Sequence, residues 1–219
     1  MSRPYSIAAA VMVAGVWLAT AAVYPLLPDP MPVHWNLRGQ VDGWGARWWA
    51  AWLMPLLIAA LWGLLAVLPR VSPRGFEVAR FAATYGYIVR VVLGGMAYIH
   101  GLLLAAALTG RLDITRALLA GVLLMLGLLG GALGRVRRNY WVGVRTPWTL
   151  SDERVWEETH RLAARLFVIA AAAGLVLVML PWPLPTVFFL VMTLVLVAAL
   201  IPVAYSLWRY ETLRRRGEL

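Results

Sequence analysis

One short segment of this chain concentrates side chains that can bind a ligand or move a proton. An imidazole, an amide, a guanidinium and a carboxylate fall within nine residues, at His34, Asn36, Arg38 and Asp42. Prolines precede this group, and glycines are interspersed with it. The residue types predict a β-turn from Asn36 to Gly39 and a second turn at Asp42-Gly43. The segment is therefore predicted to hold polar groups on a compact, turn-rich loop.

Aromatic rings are crowded around the same loop. Five of the 12 tryptophans lie here, at Trp35, Trp44, Trp48, Trp49 and Trp52. Such rings suit a membrane interface, and they also offer rigid apolar area to an amphipathic peptide or a lipid-like ligand. The alternatives are thus a ligand site and a self-packed cap with tryptophan anchors. The predicted ligand-binding residues are His34, Trp35, Asn36, Arg38, Gly39, Asp42 and Trp44.

A second polar segment spans residues 135–160. Thr149 or Ser151 is predicted to cap a helix that carries Asp152 and Glu153 in its first turn and continues into an apolar run. On that helix Glu157 is predicted to pair with Arg161 one turn later.

Arg145 lies between two tryptophans of this second segment, Trp141 and Trp148. Its guanidinium could bind a lipid phosphate, stack on a tryptophan, or pair with a carboxylate of the following helix. Those carboxylates are Asp152, Glu153 and Glu157.

Metal or catalytic chemistry finds little support in either segment. His34 and Asp42 supply two candidate ligands, too few for a specific zinc signal. Glu157 and His160 have the spacing of a carboxylate–histidine metal pair, but the further glutamates of di-metal bundles do not occur in the spans. We therefore assign no metal ligand, no cofactor and no catalytic residue, and favour a non-enzymatic protein.

Six apolar runs are long enough to carry these segments across a bilayer, which needs roughly 20 residues per helix. They cover residues 7–27, 50–69, 87–109, 117–134, 162–180 and 184–208. The sequence thus predicts an all-α, polytopic membrane protein, with one six-helix domain over residues 1–219. The outer loop is residues 28–49, and the inner loop and helix are residues 135–160.

The arginines set the orientation, since the chain has no lysine. Sixteen fall on one side of the six runs and four on the other, the four being Arg38, Arg47, Arg111 and Arg116. The positive-inside rule puts the sixteen, and both termini, in the cytoplasm. In a chain that is 62% hydrophobic, the net charge of +10 indicates topology and anionic lipid, and we expect no direct nucleic-acid binding.

Two features lie inside the spans. His100 is ionisable and deep in the third span, where the alternatives are a functional group and a neutral histidine bonded to a neighbouring helix. The fourth span carries two overlapping GxxxG pairs, formed by Gly127, Gly130, Gly131 and Gly134. They predict close helix packing, either within the chain or in a homodimer.

The two polar segments, in a six-span chain, resemble the SdpI family of bacterial membrane proteins. The inner motif is Asn139-x-x-x-Gly143-x-Arg145-Thr146-x-Trp148-Thr149, followed by Trp156 and His160. The outer motif, Pro32-Val33-His34-Trp35-Asn36-x-x-Gly39-x-x-Asp42-Gly43, resembles the uncharacterised domain that often precedes it.

The resemblance implies an immunity and signalling protein of the bacterial plasma membrane. Such a protein confers resistance to a secreted antimicrobial peptide toxin and holds a cytoplasmic transcriptional repressor at the membrane. The outer loop would meet the peptide, and the inner motif would meet the repressor. The alternatives are a membrane-embedded, metal-dependent enzyme using His34, Asp42 or His160, and a small transporter, for which His100 and Thr193 are the available polar groups.

Overall fold

Six helices long and apolar enough to cross a membrane make up most of the fold. The computed structural model describes residues 3–110 and 114–219, and Arg111 lies outside them. Within the described part the candidate spans are Ile7–Leu26, Arg47–Val71, Val78–Thr109, Ile114–Leu133, Glu153–Met179 and Leu184–Arg215. The prediction of an all-α chain with six membrane helices is confirmed. Helices are stable in a bilayer because each one forms the hydrogen bonds of its backbone groups internally.

The elements follow in chain order, with a small hairpin and two short helices between the long ones. They are α1 (Arg3–Val23), β1 (Met31–Trp35), β2 (Val41–Gly45), α2 (Arg47–Ala50), α3 (Leu53–Val67), α4 (Ala82–Thr109), α5 (Ile114–Leu133), α6 (Pro147–Ser151), α7 (Glu153–Met179) and α8 (Leu184–Arg215). Short 3₁₀ turns occupy Tyr24–Leu26, Leu68–Val71 and Val78–Phe81.

Several helices extend beyond the apolar runs that predict them. α7 begins at Glu153 where the apolar run begins at residue 162, and α8 continues to Arg215 beyond residue 208. Hydropathy marks only the part of a helix that lies in lipid, whereas backbone hydrogen bonding continues into water. The predicted continuous helix from the membrane surface into the fifth span is confirmed.

The bundle consists of two groups of three helices joined at one seam. α1, α3 and α4 pack together, α7 lies between α5 and α8, and α4 packs against α5 to join the groups. Glycines permit the close approach of α5 and α7. A Cβ added at Gly130 would lie 2.7 Å from the Cβ of Phe167, and one at Gly174 would lie 2.7 Å from a methyl of Leu123.

The four GxxxG glycines therefore differ in what they face: two contact α7 and two do not pack closely against another helix. Gly127 faces Ala171 of α7, at 3.0 Å from an added Cβ, and Gly130 faces Phe167. For these two the intramolecular alternative holds. Gly131 faces open space, and an added Cβ at Gly134 would come only within 4.0 Å of Arg161. A homodimer through this helix stays a prediction.

The two polar segments lie at opposite ends of the bundle. The β1–β2 hairpin sits near the end of α4 and the beginning of α5, since Ile114 and Thr115 line the same cavity as His34. The arginine-rich segment follows the other end of α5, where Trp156 and Val136 join a core cluster with α1, α3 and α4. The two candidate sites are thus separated by the length of the bundle.

Candidate functional site

The hairpin is anchored at its base by a small apolar core. Met31 is fully buried and packs with Leu27, Ala50, Ala51 and Leu104. Polar contacts reinforce the base. The backbone N–H of Arg47 donates to Asp29 Oδ1 at 3.1 Å, and its guanidinium donates to the Leu27 carbonyl at 3.2 Å. The base is thus fixed to α2 and α4, while the tip projects over the bundle.

The tip of the hairpin is a turn built by Asn36. Its side-chain oxygen accepts the backbone N–H groups of Arg38 at 2.9 Å and Gln40 at 3.1 Å. The Gly39 N–H donates to the Asn36 carbonyl, and Gly39 has a φ of +77°, which favours glycine. The predicted turn at Asn36–Gly39 is confirmed, and both residues serve the turn itself.

The predicted turn at Asp42-Gly43 is wrong, because both residues lie within β2 and pair with β1. Gly43 stands opposite His34, and an added Cβ there would lie 2.7 Å from His34 Cβ. The pairing is irregular on both sides of His34. Gly43 is therefore required by the close approach of the facing strand and not by a turn.

The hairpin brings His34 and Asp42 into direct contact. His34 Nδ1 lies 2.5 Å from Asp42 Oδ1, a charge-assisted hydrogen bond when the imidazole is protonated. The two side chains are 69% and 44% exposed, so both are open to a ligand. The carboxylate fixes the ring orientation and leaves Nε2 directed away from Asp42.

A cleft of about 330 Å³ opens between the hairpin and the bundle. Its hairpin wall is Val33, His34, Trp35, Asn36 and Leu37. Its opposite wall is apolar apart from Thr115, and comprises Ile99, Leu102, Leu103, Ile114, Leu118, Leu119 and Phe188. The arrangement is an apolar slot with an imidazole and an amide on one side, as in binding sites that orient a ligand with few polar groups.

The structure brings only part of the predicted ligand set to this cleft. His34, Trp35 and Asn36 line it, and Asp42 holds His34. Gly39 faces Leu184 and Thr115 nearby, whereas Arg38 and Trp44 are exposed and do not line it. The α4, α5 and α8 residues of the wall escaped sequence reasoning because apolar residues in a span carry no mark of the face they present.

The inner motif is organised by buried polar side chains. Asn139 is fully buried and uses its whole amide. Its Nδ2 donates to the carbonyls of Arg137 and Val142 at 2.8 and 3.1 Å, and its oxygen accepts the N–H groups of Trp141 and Val142. Asn139 therefore folds the segment back on itself.

His160 supports the next part of the loop. Its Nδ1 donates to the Trp156 carbonyl at 2.8 Å, and its Nε2 accepts the N–H of Val144 at 3.0 Å. The ring stacks on Trp156, with centroids 4.0 Å apart, and Trp156 Nε1 donates to the Val136 carbonyl at 2.8 Å. Both ring nitrogens are occupied, so His160 positions the loop.

Gly143 is the residue that lets the loop pass over His160. It has a φ of +113°, and an added Cβ would lie 2.2 Å from His160 Nε2. Both the backbone conformation and the space exclude a side chain.

Thr146 and Thr149 form a capping box on α6. The Thr146 hydroxyl accepts the Thr149 N–H, and the Thr149 hydroxyl accepts the Thr146 N–H, at 3.2 and 2.9 Å. Thr146 also shares a 3.0 Å hydrogen bond with Ser206 of α8. The sequence prediction that Thr149 or Ser151 caps the following helix is wrong, because Thr146 caps α6 and Asp152 caps α7.

Asp152 accepts hydrogen bonds from the N–H groups of Arg154 and Val155 at 2.8 and 3.1 Å. Partial burial raises the pKa of its carboxyl. The hydrogen bonds from the Arg154 side chain and from the backbone N–H groups of Val155 and Arg154 outweigh that effect and leave the pKa below its usual value.

The carboxylates near Arg145 have other partners. Asp152 pairs with Arg154, Glu153 with Arg80 at 3.3 Å, and Glu157 with Arg137. Of the three alternatives for Arg145, pairing with these groups is therefore wrong, and the predicted pairing of Glu157 with Arg161 is also wrong. Arg145 is exposed, and its guanidinium donates to the Tyr140 carbonyl of its own loop. The i,i+4 rule failed because a residue from another segment lies closer.

The predicted inner set thus separates into two kinds of residue. Those that hold the loop are buried or enclosed: Asn139, Gly143, Thr146, Thr149, Trp156 and His160. Arg145 is exposed and Trp148 half-buried, so these two can meet a partner.

His100 is buried between α4 and α1. Its Nε2 lies 2.8 Å from the Thr20 hydroxyl, which itself donates to the Val16 carbonyl at 2.8 Å. Thr20 must then accept from His100 Nε2–H, which is the alternative of a neutral histidine bonded to a neighbouring helix. Thr193, the other polar group of the transporter alternative, donates to the Phe189 carbonyl of its own helix. Across residues 3–110 and 114–219, no cluster of three or more His, Asp or Glu side chains could hold a metal ion.

Comparison with known proteins places both motifs. The model of the SdpI/YfhL protein family matches residues 135–206, and that of a domain of unknown function, DUF1648, matches residues 11–59. The immunity protein SdpI of Bacillus subtilis (strain 168) is 21% identical over 194 residues, which cover 89% of each chain. No solved structure matches. With six membrane helices, the inner motif inside one match and the outer motif inside the other, this chain is a multi-pass cell-membrane protein that is similar to the SdpI/YfhL family over residues 135–206.

Proposed function

We propose that this chain is a membrane immunity protein that protects the cell by binding a secreted antimicrobial peptide in the cleft beneath the β1–β2 hairpin. The cleft carries the proposal, because it combines an apolar wall with the His34–Asp42 pair at its rim. The name of the Bacillus subtilis relative supports the same role. At about 330 Å³ the cleft is at the small end of ligand pockets, so it suits one or two side chains of a peptide.

The proposed orientation brings the cleft to the face that a secreted peptide reaches first. Most of the described arginines lie at the end of the bundle opposite the hairpin, in the loop after α3, the segment after α5 and the end of α8. By the positive-inside rule that end, with both termini, lies in the cytoplasm and the hairpin lies outside.

The test is protection of a sensitive bacterium. The wild-type chain, expressed in a strain without its own immunity gene, is challenged with a panel of secreted antimicrobial peptides. We expect protection against at least one. Leu118→Trp, which fills the cleft, should abolish it, while Trp48→Ala, a large change at an exposed tryptophan outside the cleft, should retain it. Protection by Leu118→Trp at equal protein level would refute the cleft as the binding site, and failure of the wild type on every peptide would refute the function.

The polar rim is tested separately. His34→Ala removes one hydrogen-bonding partner beside the cleft, and Asp42→Asn removes the carboxylate charge that holds that partner. Loss of a partner that contacts ligand costs about 1–3 kcal/mol, or roughly 5- to 150-fold in affinity. We expect loss of protection with near-normal expression and melting, because both side chains are exposed and neither supports the core. Unchanged protection in both variants would remove the pair from the site.

For the cytoplasmic side we propose that Arg145 and Trp148 meet a transcriptional repressor. These two side chains reach the surface beside motif residues that are buried, such as Asn139 and Thr149, which gives a partner a rigid platform. The Arg145 guanidinium contacts one carbonyl, that of Tyr140, which a lysine can also reach. Membrane recruitment of the cognate repressor should fall in Arg145→Ala and Trp148→Ala. Recruitment should be partly restored in Arg145→Lys if the partner recognises the positive charge. It should not be restored if the partner recognises the planar guanidinium. Full recruitment by both alanine variants would contradict this surface.

A further inference from the structure

We propose that the groove between α4 and α5 is a binding site for one anionic phospholipid, seated with its headgroup at the arginine-rich end of the bundle. The groove consists of two adjoining cavities of about 670 and 450 Å³ that share Tyr87, Arg90 and Leu128. It shares no lining residue with the hairpin cleft, so it is independent of the proposed immunity function.

The groove has an apolar trough and a basic end. The trough is lined by Val91, Gly94, Gly95, Tyr98, Ala120, Gly121, Leu124, Met125 and Leu175. Along α4 the lining residues run from Ala83 to Tyr98, which at 1.5 Å per residue is roughly 20 Å. One leaflet of the hydrocarbon core is roughly 15 Å thick, so the trough matches an acyl chain running from the surface inward.

Glycines create the trough by allowing the two helices to interlock below its floor. An added Cβ at Gly95 would lie 2.4 Å from the sulfur of Met125, and one at Gly121 would lie 2.1 Å from the Tyr98 ring. Tyr98 also donates from its hydroxyl to the Ala117 carbonyl at 2.9 Å. The floor is therefore fixed. Gly131 faces open space at the basic end, where a side chain would enter the groove.

The basic end is where charge selects the occupant. Arg90 and Arg135 both line the cavity at this end. Arg135 also lines a neighbouring cavity of about 430 Å³ with Arg137 and Arg161, in which Glu157 is the one carboxylate among the lining residues. Arg137 is paired with that carboxylate. Four guanidinium groups beside one carboxylate, next to an apolar trough, are complementary to a phosphate attached to acyl chains.

Depth in the membrane supports the same assignment. Arg90 lies eight residues inside α4, roughly 12 Å along the helix from Ala82. Arginine at such a position extends toward the headgroup region, where an anionic lipid supplies charge-assisted hydrogen bonds. A neutral lipid could fill the trough but would leave the basic end without a net opposite charge.

The test is lipid binding by the purified full chain. Protein in detergent, stripped of native lipid, is titrated with phosphatidylglycerol and with phosphatidylcholine of the same chains, and binding is read by thermal shift. We expect wild-type protein to prefer phosphatidylglycerol. Each arginine near an anionic lipid contributes roughly fivefold in affinity, so Arg90→Gln with Arg135→Gln should weaken phosphatidylglycerol binding by about 30-fold.

Two matched controls make the result specific. Arg74→Gln with Arg216→Gln removes the same charge at the same end of the bundle, away from the groove, and should leave binding within about twofold. Gly131→Leu fills the groove and should abolish binding, while Gly101→Leu, at an exposed α4 glycine that also faces open space and does not line the groove, should retain it. If Gly131→Leu fails to fold, the arginine pairs decide alone.

Three outcomes would overturn the proposal. Equal affinity of wild-type protein for both lipids would show that charge does not select the occupant. Equal losses in the two arginine pairs would show diffuse attraction without a site. Conversion of a wild-type dimer to a monomer by Gly131→Leu, with phosphatidylglycerol binding unchanged, would assign the groove to a second copy of this chain.

Discussion

Replacing Gly143 with alanine tests whether the inner motif is a rigid support built around His160. Gly143 has a φ of +113°, and an alanine Cβ would lie 2.2 Å from His160 Nε2. Backbone strain of this kind costs about 1–3 kcal/mol. The clash must also displace the imidazole that accepts the Val144 N–H at 3.0 Å, and leaving that enclosed donor unpaired costs about 1–3 kcal/mol more. The free energy of unfolding should therefore fall by about 2–6 kcal/mol.

The assay is thermal unfolding of purified protein in detergent. For a chain of this size, 1 kcal/mol corresponds to about 2–4 °C, so the midpoint should fall by roughly 4–24 °C. Gly75→Ala is the matched control, because Gly75 has a φ of +83° and an added Cβ there meets open space. It should show the strain without the clash and melt between Gly143→Ala and the wild type. If Gly143→Ala melts no lower than Gly75→Ala, the contact with His160 does not hold the loop and the reasoning is refuted.

Three further predictions concern orientation and local contacts. Reporter fusions at Gly217 should read cytoplasmic and fusions near Gly39 external, and an external C-terminal reporter would contradict the orientation derived from the arginines. His100→Gln should retain folding and protection, since an amide can donate to Thr20 as the imidazole does, and lost protection at an unchanged melting temperature would instead reveal a functional histidine. The Asp152 carboxyl has a folded-state pKa below its unfolded value, so its stabilising effect is present at neutral pH and is lost as the pH falls below about 4. Asp152→Ala should therefore lower the melting temperature at pH 7 by an amount worth about 1 kcal/mol and by much less at pH 3, and equal losses at both pH values would show that the charged cap is not the cause.

The hairpin shows how far local sequence reasoning reached at the candidate site. The turn at Asn36–Gly39 could be predicted because the amide of Asn36 bonds to backbone groups two and four residues ahead. The second predicted turn was wrong because Gly43 lies opposite His34 in the strand pair. A Cβ added at Gly43 would lie 2.7 Å from the Cβ of His34. Glycine is read locally as a turn former, and nothing in the local sequence reports the side chain that will face it.

The inner motif shows the same division. Its residue types indicate a specific, turn-rich structure, and the resemblance pointed to the family whose model matches residues 135–206. The roles of its residues could not be predicted from the sequence. The side chains of Asn139 and His160 form their hydrogen bonds with the backbone of their own segment. A polar side chain in a loop motif looks the same in sequence whether it faces a ligand or supports the fold.

The six membrane helices and the likeness to one family could be predicted before any contact was known, because hydropathy is summed over consecutive residues and every lipid-exposed backbone group must be satisfied within its own helix. The charge asymmetry that predicts orientation is a count along the chain and is equally local. The folded chain was needed to show which faces of α4, α5 and α8 form the cleft, and that Glu157 pairs with Arg137. It was also needed to show that Gly131 opens onto a groove while Gly127 and Gly130 contact α7. These contacts join residues far apart in the chain, and inside a membrane every face of a helix is apolar, so the pattern of hydrophobic residues carries no record of which face meets which neighbour.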